Sequence, residues 1–194
     1  MRRSRMTARL AALALSAVLA GCSNYALLQP ARIQLSAVHS VDSAITWNRS
    51  NRGTSEVWTV DGPLLQSIRF VNGLRDGETL FSAAEVKNTG ALPRFGKDMD
   101  PFEVVEFLRS TLALSGVINV RADGLRPAPF GDLDGFRFEF ALVPENGLRL
   151  RGFAVGAVHE ERLYMIVFTA AALHYYDAYK DVAERIVASV ETRT

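Results

Sequence analysis

The sequence predicts an α+β domain: an antiparallel sheet with flanking helices. Three observations predict it. Asn-Gly and Asp-Gly dipeptides recur at 61–62, 72–73, 76–77, 123–124, 134–135 and 146–147, and each supplies the positive φ that tight hairpin turns need. Apolar residues follow strand-like patterns through much of 117–170. Two amphipathic helices interrupt the strands without alternating with each one, which separates α+β from a parallel α/β arrangement.

The elements follow in order. Glu56–Val60 and Leu64–Val71 read as a hairpin around Asp61-Gly62-Pro63. A helix opens at Asp100-Pro101-Phe102-Glu103. Asp100 suits the N-cap, Pro101 the first helical position and Glu103 the reciprocal capping position. Val104, Val105, Leu108 and Leu112 form its apolar stripe, and Gly116 ends it as a left-handed C′ residue. Val117–Ala122 reads as a strand. Phe136, Phe138 and Phe140 then alternate with Arg137, Glu139 and Ala141, which gives one aromatic face. Asn146-Gly147 turns the chain into Leu148–Val158, and His159-Glu160-Glu161-Arg162 is a polar turn. Leu163–Ala170 is apolar on both faces and is expected at the centre of the sheet. A last helix covers Leu173–Val190, where Tyr176, Tyr179, Ala183, Ile186, Val187 and Val190 recur at spacings of three and four.

Composition sets the outer bounds. The 194 residues are 48% hydrophobic and 22% charged, an ordinary globular balance. A single cysteine excludes an intramolecular disulfide and a four-cysteine zinc site. No internal repeat or low-complexity block divides the chain. Residues 35–194 are therefore expected to form one domain, preceded by a short tether over 22–34.

The N-terminus is expected to be an address. Arg2, Arg3, Arg5 and Arg9 precede an apolar run, Leu10–Ala20. That run is too short to span a bilayer and suits the core of a signal peptide. It ends Leu19-Ala20-Gly21-Cys22. This resembles the bacterial lipobox. The resemblance implies a signal peptide over 1–21, cleavage between Gly21 and Cys22, a diacylglycerol on the Cys22 thiol and acylation of the new amine. Two or three acyl chains hold a protein at a membrane where one holds it only reversibly. Ser23 follows where an aspartate resembles an inner-membrane retention signal, so the expected place is the outer membrane, facing the periplasm of a Gram-negative host. Four of the 22 basic residues lie in 1–21 and none of the 21 acidic ones, so the remaining chain carries a net charge of −3. It has no basic surplus to draw nucleic acid.

The second half carries a further resemblance. The capped helix is followed by APFGDLDGFRFEF (Ala128–Phe140), RGFAVGAVHEERLYMIVFTA (Arg151–Ala170) and a terminal helix ending ERIVASV (Glu184–Val190). This order resembles the PsbP/Mog-like α/β/α sandwich over roughly Ala91–Val190. The superfamily is largely non-catalytic, and the resemblance implies an assembly factor or binding module.

Motifs that carry chemistry are scarce in the sequence. There is no Gly-x-Ser-x-Gly elbow, no phosphate-binding loop and no dinucleotide fingerprint. His39, His159 and His174 are the only histidines, and none has a partner at i+2 or i+4. His159 beside Glu160 and Glu161 fits a solvated turn better than a metal or proton site, and His174 fits a surface or capping role. The pairs Asp132/Asp134 and Asp98/Asp100 are explained by a turn and a helix cap before any acid–base or calcium role. No cofactor, metal site or catalytic residue is expected. Aromatics give the better lead for binding. The stretch Ser82–Met99 is long for an unstructured loop, and an edge formed by Trp58, Arg94 and Phe95 is expected there. The competing reading makes Trp47 and Trp58 core residues.

The function expected is that of a lipid-anchored, non-catalytic envelope lipoprotein that binds an envelope protein or supports its assembly. A carrier or sensor of a small amphiphile is the alternative. A hydrolase built around His159 or Asp132/Asp134 ranks third.

Overall fold

The computed structural model describes residues 25–52, 55–82, 86 and 92–193. Gly21 and Cys22 lie outside these residues, as does much of the Ser82–Met99 stretch.

The elements are β1 (Ala26–Leu28), β2 (Arg32–Gln34), β3 (His39–Asp42), β4 (Trp47–Arg52), β5 (Ser55–Thr59), β6 (Gln66–Leu74), α1 (Pro101–Leu114), β7 (Val117–Phe130), β8 (Leu133–Pro144), β9 (Leu150–His159), β10 (Arg162–Ala171), α2 (Tyr175–Ala188) and β11 (Glu191–Thr192). Among the described residues, eight strands form one sheet in the order β1-β4-β5-β6-β10-β9-β8-β7, and β11-β3-β2 form a second, small one. Each pairing is antiparallel. The class is α+β, as expected.

Period two decides where the core lies. Along β10, Leu163, Met165 and Val167 join one apolar cluster, while Tyr164, Ile166, Phe168 and Ala170 join another. Successive strand side chains point to opposite faces, so both faces of the sheet are covered. The first face packs against Val104, Val105, Phe107 and Leu108 of α1. The second packs against Tyr176, Ala183 and Ile186 of α2, with Val41 of the small sheet. β10 sits between β6 and β9, which is why its sequence is apolar throughout. Burying each phenylalanine in such a core contributes about 1.5–3 kcal/mol relative to leaving it exposed.

Helix α1 begins as its sequence demands. The Asp100 side chain accepts from the Glu103 backbone N–H at 2.9 Å, and the Glu103 carboxylate accepts from the Asp100 N–H at 2.9 Å. Ser115 caps the C-terminus, and Gly116 follows at φ +89°.

The structure differs from expectation in three places. Two of the six dipeptides fall in turns, 76–77 and 146–147, and a third, 61–62, leads into the turn at 63–65. The other three lie within strands. Gly73 (φ +95°) sits in β6 opposite a register shift between Leu163 and Tyr164, with the Tyr164 ring 3.1 Å from where a Cβ would stand. Gly124 (φ +66°) sits in β7 at a second shift, so β7 runs on to Phe130 instead of ending near Ala122. Asp134-Gly135 lies inside β8, and the turn is at 131–132. The tether expected up to Gln34 is already built in from Ala26, because β1 pairs with β4 and β2 with β3. Finally, α2 starts at Tyr175.

Candidate functional site

The expected edge of Trp58, Arg94 and Phe95 does not form. Trp58 is fully buried on the α2 face, its ring 4.4 Å from Phe70 and its indole N–H donating to Glu56. Phe95 is buried in the opposite cluster, 6.3 Å from Phe107. The Phe95 backbone pairs with Gly77 and Glu78, which fixes the ring inward. Arg94 stays exposed and donates to the Gly77 carbonyl. A large ring gains more from burial than from an edge position, and the sheet sends these two to different faces. Trp47 is core as well, with its indole N–H donating to the Ser43 carbonyl at 2.7 Å.

The other candidate residues stay apart. His159 closes β9 at its turn, while His174 is the N-cap of α2 and makes no side-chain cap bond. His39 is fully buried. Its Nδ1 faces the Ser36 hydroxyl at 2.9 Å, and its ring lies edge-on to Phe130 and Tyr164. Burial lowers its pKa from 6.5 to about 4. The Asp132 backbone N–H is held by Thr192, Asp134 is an exposed strand residue, and Asp100 caps α1. Among the described residues, no group of three or more His, Cys, Asp or Glu side chains is placed to hold a metal ion.

The structure instead assembles a basic groove beside α2. Register places Arg121 of β7, Ala141 of β8 and Arg151 of β9 in one row across the sheet. Arg121 and Arg151 are thus two strand spacings apart, about 10 Å. Arg149 lies two residues before Arg151 on the same side, and Asn119, Val143 and Ala172 complete a groove of about 410 Å³. Ala141 is the small residue that leaves space between the flanking arginines.

Charge makes this groove distinct. The Arg151 guanidinium lies 4.2 Å over the Tyr176 ring of α2, a placement that orients it without neutralising it. Arg121 approaches Asp123 at 3.4 Å, but both side chains are mostly exposed, and such pairs contribute little. Among the described residues, Arg149 and Arg151 have no carboxylate partner, and no carboxylate lines the groove. Three guanidiniums over a partly apolar floor repel one another until an anion arrives. The neighbouring arginines are committed elsewhere. Arg137 grips Glu184 of α2 through two bonds at 2.7 and 2.8 Å, and Arg126 grips Glu139 through two at 3.0 Å. The Arg126 bonds, joined by one from Arg137 Nε at 3.1 Å, hold the Glu139 carboxyl below its ordinary range.

Sequence reasoning missed this groove. Its only signal was Arg149-x-Arg151 on a strand, which alone reads as a solvated face. Register with Arg121 is a tertiary fact.

The fold and site define an α+β domain with a basic groove beside its C-terminal helix. No family model matches the chain, and no curated protein matches it. Among solved structures, the chain is similar to cyanobacterial PsbP (CyanoP) from Synechocystis sp. PCC 6803, determined in solution. The similarity covers 88% of this chain and 83% of that one, at 11% identity and a TM-score of 0.43.

Proposed function

We propose that the protein is a lipid-anchored envelope lipoprotein acting as a non-catalytic binding or assembly module. On this reading Cys22 carries the lipid, Ser23 permits transfer to the outer membrane, and the domain faces the periplasm. The order of its elements supports assigning it to the PsbP/Mog-like α/β/α sandwiches. The observation that carries the binding role is the groove of Arg121, Arg149 and Arg151 without a lining carboxylate. It suits an acidic segment of an envelope partner, because guanidinium groups recognise carboxylates through paired hydrogen bonds.

The test joins the two halves. Native protein and Cys22→Ser are compared by intact mass and membrane fractionation, then cross-linked on the same membranes. The expected result is acyl mass and outer-membrane flotation lost in Cys22→Ser. Cross-links from the groove to one reproducible partner should also disappear in Arg149→Glu/Arg151→Glu. Unmodified Cys22 would overturn the anchor, and cross-links indifferent to the charge reversal would overturn the groove.

The apolar floor of Ala141, Val143 and Ala172 favours a second reading, the carriage of a small anionic amphiphile. Native mass spectrometry after exposure to envelope lipid extract tests it; a ligand-free spectrum counts against it.

A further inference from the structure

A second arginine surface lies on the same face, at the other strand ends. Arg49, Glu56, Asn72, Arg75, Glu78 and Arg162 line a cleft of about 450 Å³, and the β2–β3 connection forms its far wall. Two of its charges are already committed. Glu56 is 2% exposed and accepts from the Trp58 indole N–H and from Arg49 Nη2 at 2.8 Å, with Arg49 Nε at 2.6 Å. The remaining groups are not. Among the described residues, Arg75 and Arg162 have no carboxylate partner. Glu78 accepts the Arg75 backbone N–H through one oxygen at 2.8 Å, leaving the other oxygen able to accept. The Asn72 Oδ1 is buried without a hydrogen-bond partner among the described residues.

The cleft therefore holds two cations without a carboxylate partner beside two acceptors with unused capacity, the Asn72 Oδ1 of them buried. A bare phosphate would meet the cations and repel the acceptors. A simple cation would do the reverse. A phosphate ester carrying an ammonium group satisfies both sets. We propose that this cleft binds a phosphoethanolamine group, with its phosphate between Arg75 and Arg162 and its ammonium on Glu78 and Asn72 Oδ1.

The group has two sources, a lipid headgroup or a soluble phosphoethanolamine. The headgroup source rests on the lipid-anchor reading, and the topology supports it. The antiparallel register Ala26↔Arg49 and Leu28↔Trp47 directs β1 backward toward the Asn51 end of β4, so the described chain starts beside this cleft at Tyr25. Three peptide units separate Tyr25 from Cys22, a reach of at most about 11 Å. A lipid on Cys22 would hold the cleft at headgroup level.

The test titrates the purified protein with phosphoethanolamine, phosphocholine and inorganic phosphate by calorimetry. Phosphoethanolamine should bind about tenfold tighter than phosphocholine, whose ammonium has no N–H to donate. Arg75→Ala/Arg162→Ala should weaken it by about tenfold or more, and Glu78→Gln should erase the preference over phosphocholine. A second arm needs no variant. Arg75 and Arg162 are followed by mass spectrometry for protection from a guanidinium-modifying dicarbonyl. Protection on phosphatidylethanolamine vesicles but not on phosphatidylcholine vesicles identifies the headgroup as the source. Protection by the soluble compound alone identifies the free one. Equal binding of phosphoethanolamine and phosphocholine, or absence of protection in every condition, overturns the proposal. Absence of acyl mass on Cys22 overturns the anchor reading and leaves the soluble arm to stand by itself.

Discussion

The two faces of the main sheet bury different chemistry. Against α1 the core is built from Val71, Leu74, Phe136, Phe138, Phe140, Met165 and their neighbours. Against α2 the rings of Trp47, Trp58, Phe70, Phe153 and Phe168 share their layer with buried polar residues, among them His39, Glu56 and Gln66. Hydrocarbon packs without orientation, whereas a buried polar group is oriented by its partners, as His39 is by Ser36 and Glu56 by Arg49 and Trp58. Both candidate binding surfaces lie on the α2 face, at its two strand ends. The apolar face secures the fold; the mixed face fixes where charges stand.

The largest expected effect tests the apolar face. Phe138→Ala removes a ring 6.3–6.4 Å from both Phe136 and Phe140. It should destabilise by about 3–5 kcal/mol, the range for deleting buried phenylalanine side chains. Denaturant melts at pH 5 and pH 8 should show the same loss. A loss that depends strongly on pH would break the comparison, because nothing in that layer titrates in this range.

The mixed face should show the opposite dependence. His39 has a folded pKa of about 4 against 6.5 when unfolded. Between those values the unfolded chain binds the proton and the folded chain does not. Stability is therefore full above pH 6.5 and falls as pH drops toward 4, by about 3 kcal/mol in all. His39→Leu should flatten that window. It should leave the acid slope set by Glu139, whose lowered pKa gives stability that is lost only below the ordinary carboxylate range. An unchanged slope from pH 6.5 to 4 in His39→Leu would sink this assignment.

A smaller effect belongs to the clamp between the sheet and α2. Arg137 holds both carboxylate oxygens of Glu184 and lies 4.1 Å over the Phe153 ring. Glu184→Gln keeps the shape and removes the charge. With Glu184 partly exposed, the expected loss is about 1 kcal/mol, nearly independent of salt. Tm at low and high ionic strength checks it. A loss that vanishes in high salt would mean the pair behaves as an ordinary surface contact.

What the sequence revealed follows from the range of the forces involved. The capping box of α1 and the buried centre of β10 were legible because each is local. The Asn-Gly and Asp-Gly signals were legible only in part. A tight turn and a register shift can both require positive φ, so Gly73 and Gly124 read as turns although their neighbours are paired strands. The Trp58, Arg94 and Phe95 edge failed because spacing in sequence does not assign sheet faces, and those rings went to opposite cores. Both arginine surfaces were invisible for a related reason. Arg121 meets Arg151, and Arg75 meets Arg162, only after the strands are paired.

Effects of similar size come from the two helix starts, where Asp100 was expected to cap α1 and His174 to take a surface or capping role. Asp100 satisfies a backbone N–H of α1 from a relaxed extended conformation, φ −76° and ψ 170°. Asp100→Ala should therefore cost about 1 kcal/mol. His174 instead begins α2 at φ +71° and ψ −59° without a side-chain cap, inside a three-residue turn in which the Tyr175 N–H donates to the Leu173 carbonyl at 2.9 Å. That γ-turn is a strained conformation for a residue with a Cβ. Glycine adopts it freely, so His174→Gly should raise stability by about 1 kcal/mol, where a mid-helix glycine would lower it. Thermal melts of the two variants side by side should shift in opposite directions. Matching losses would show that His174 contributes more than its backbone, and its edge-on contact with Tyr175, with ring centroids 5.2 Å apart, would then be what holds the first turn of α2.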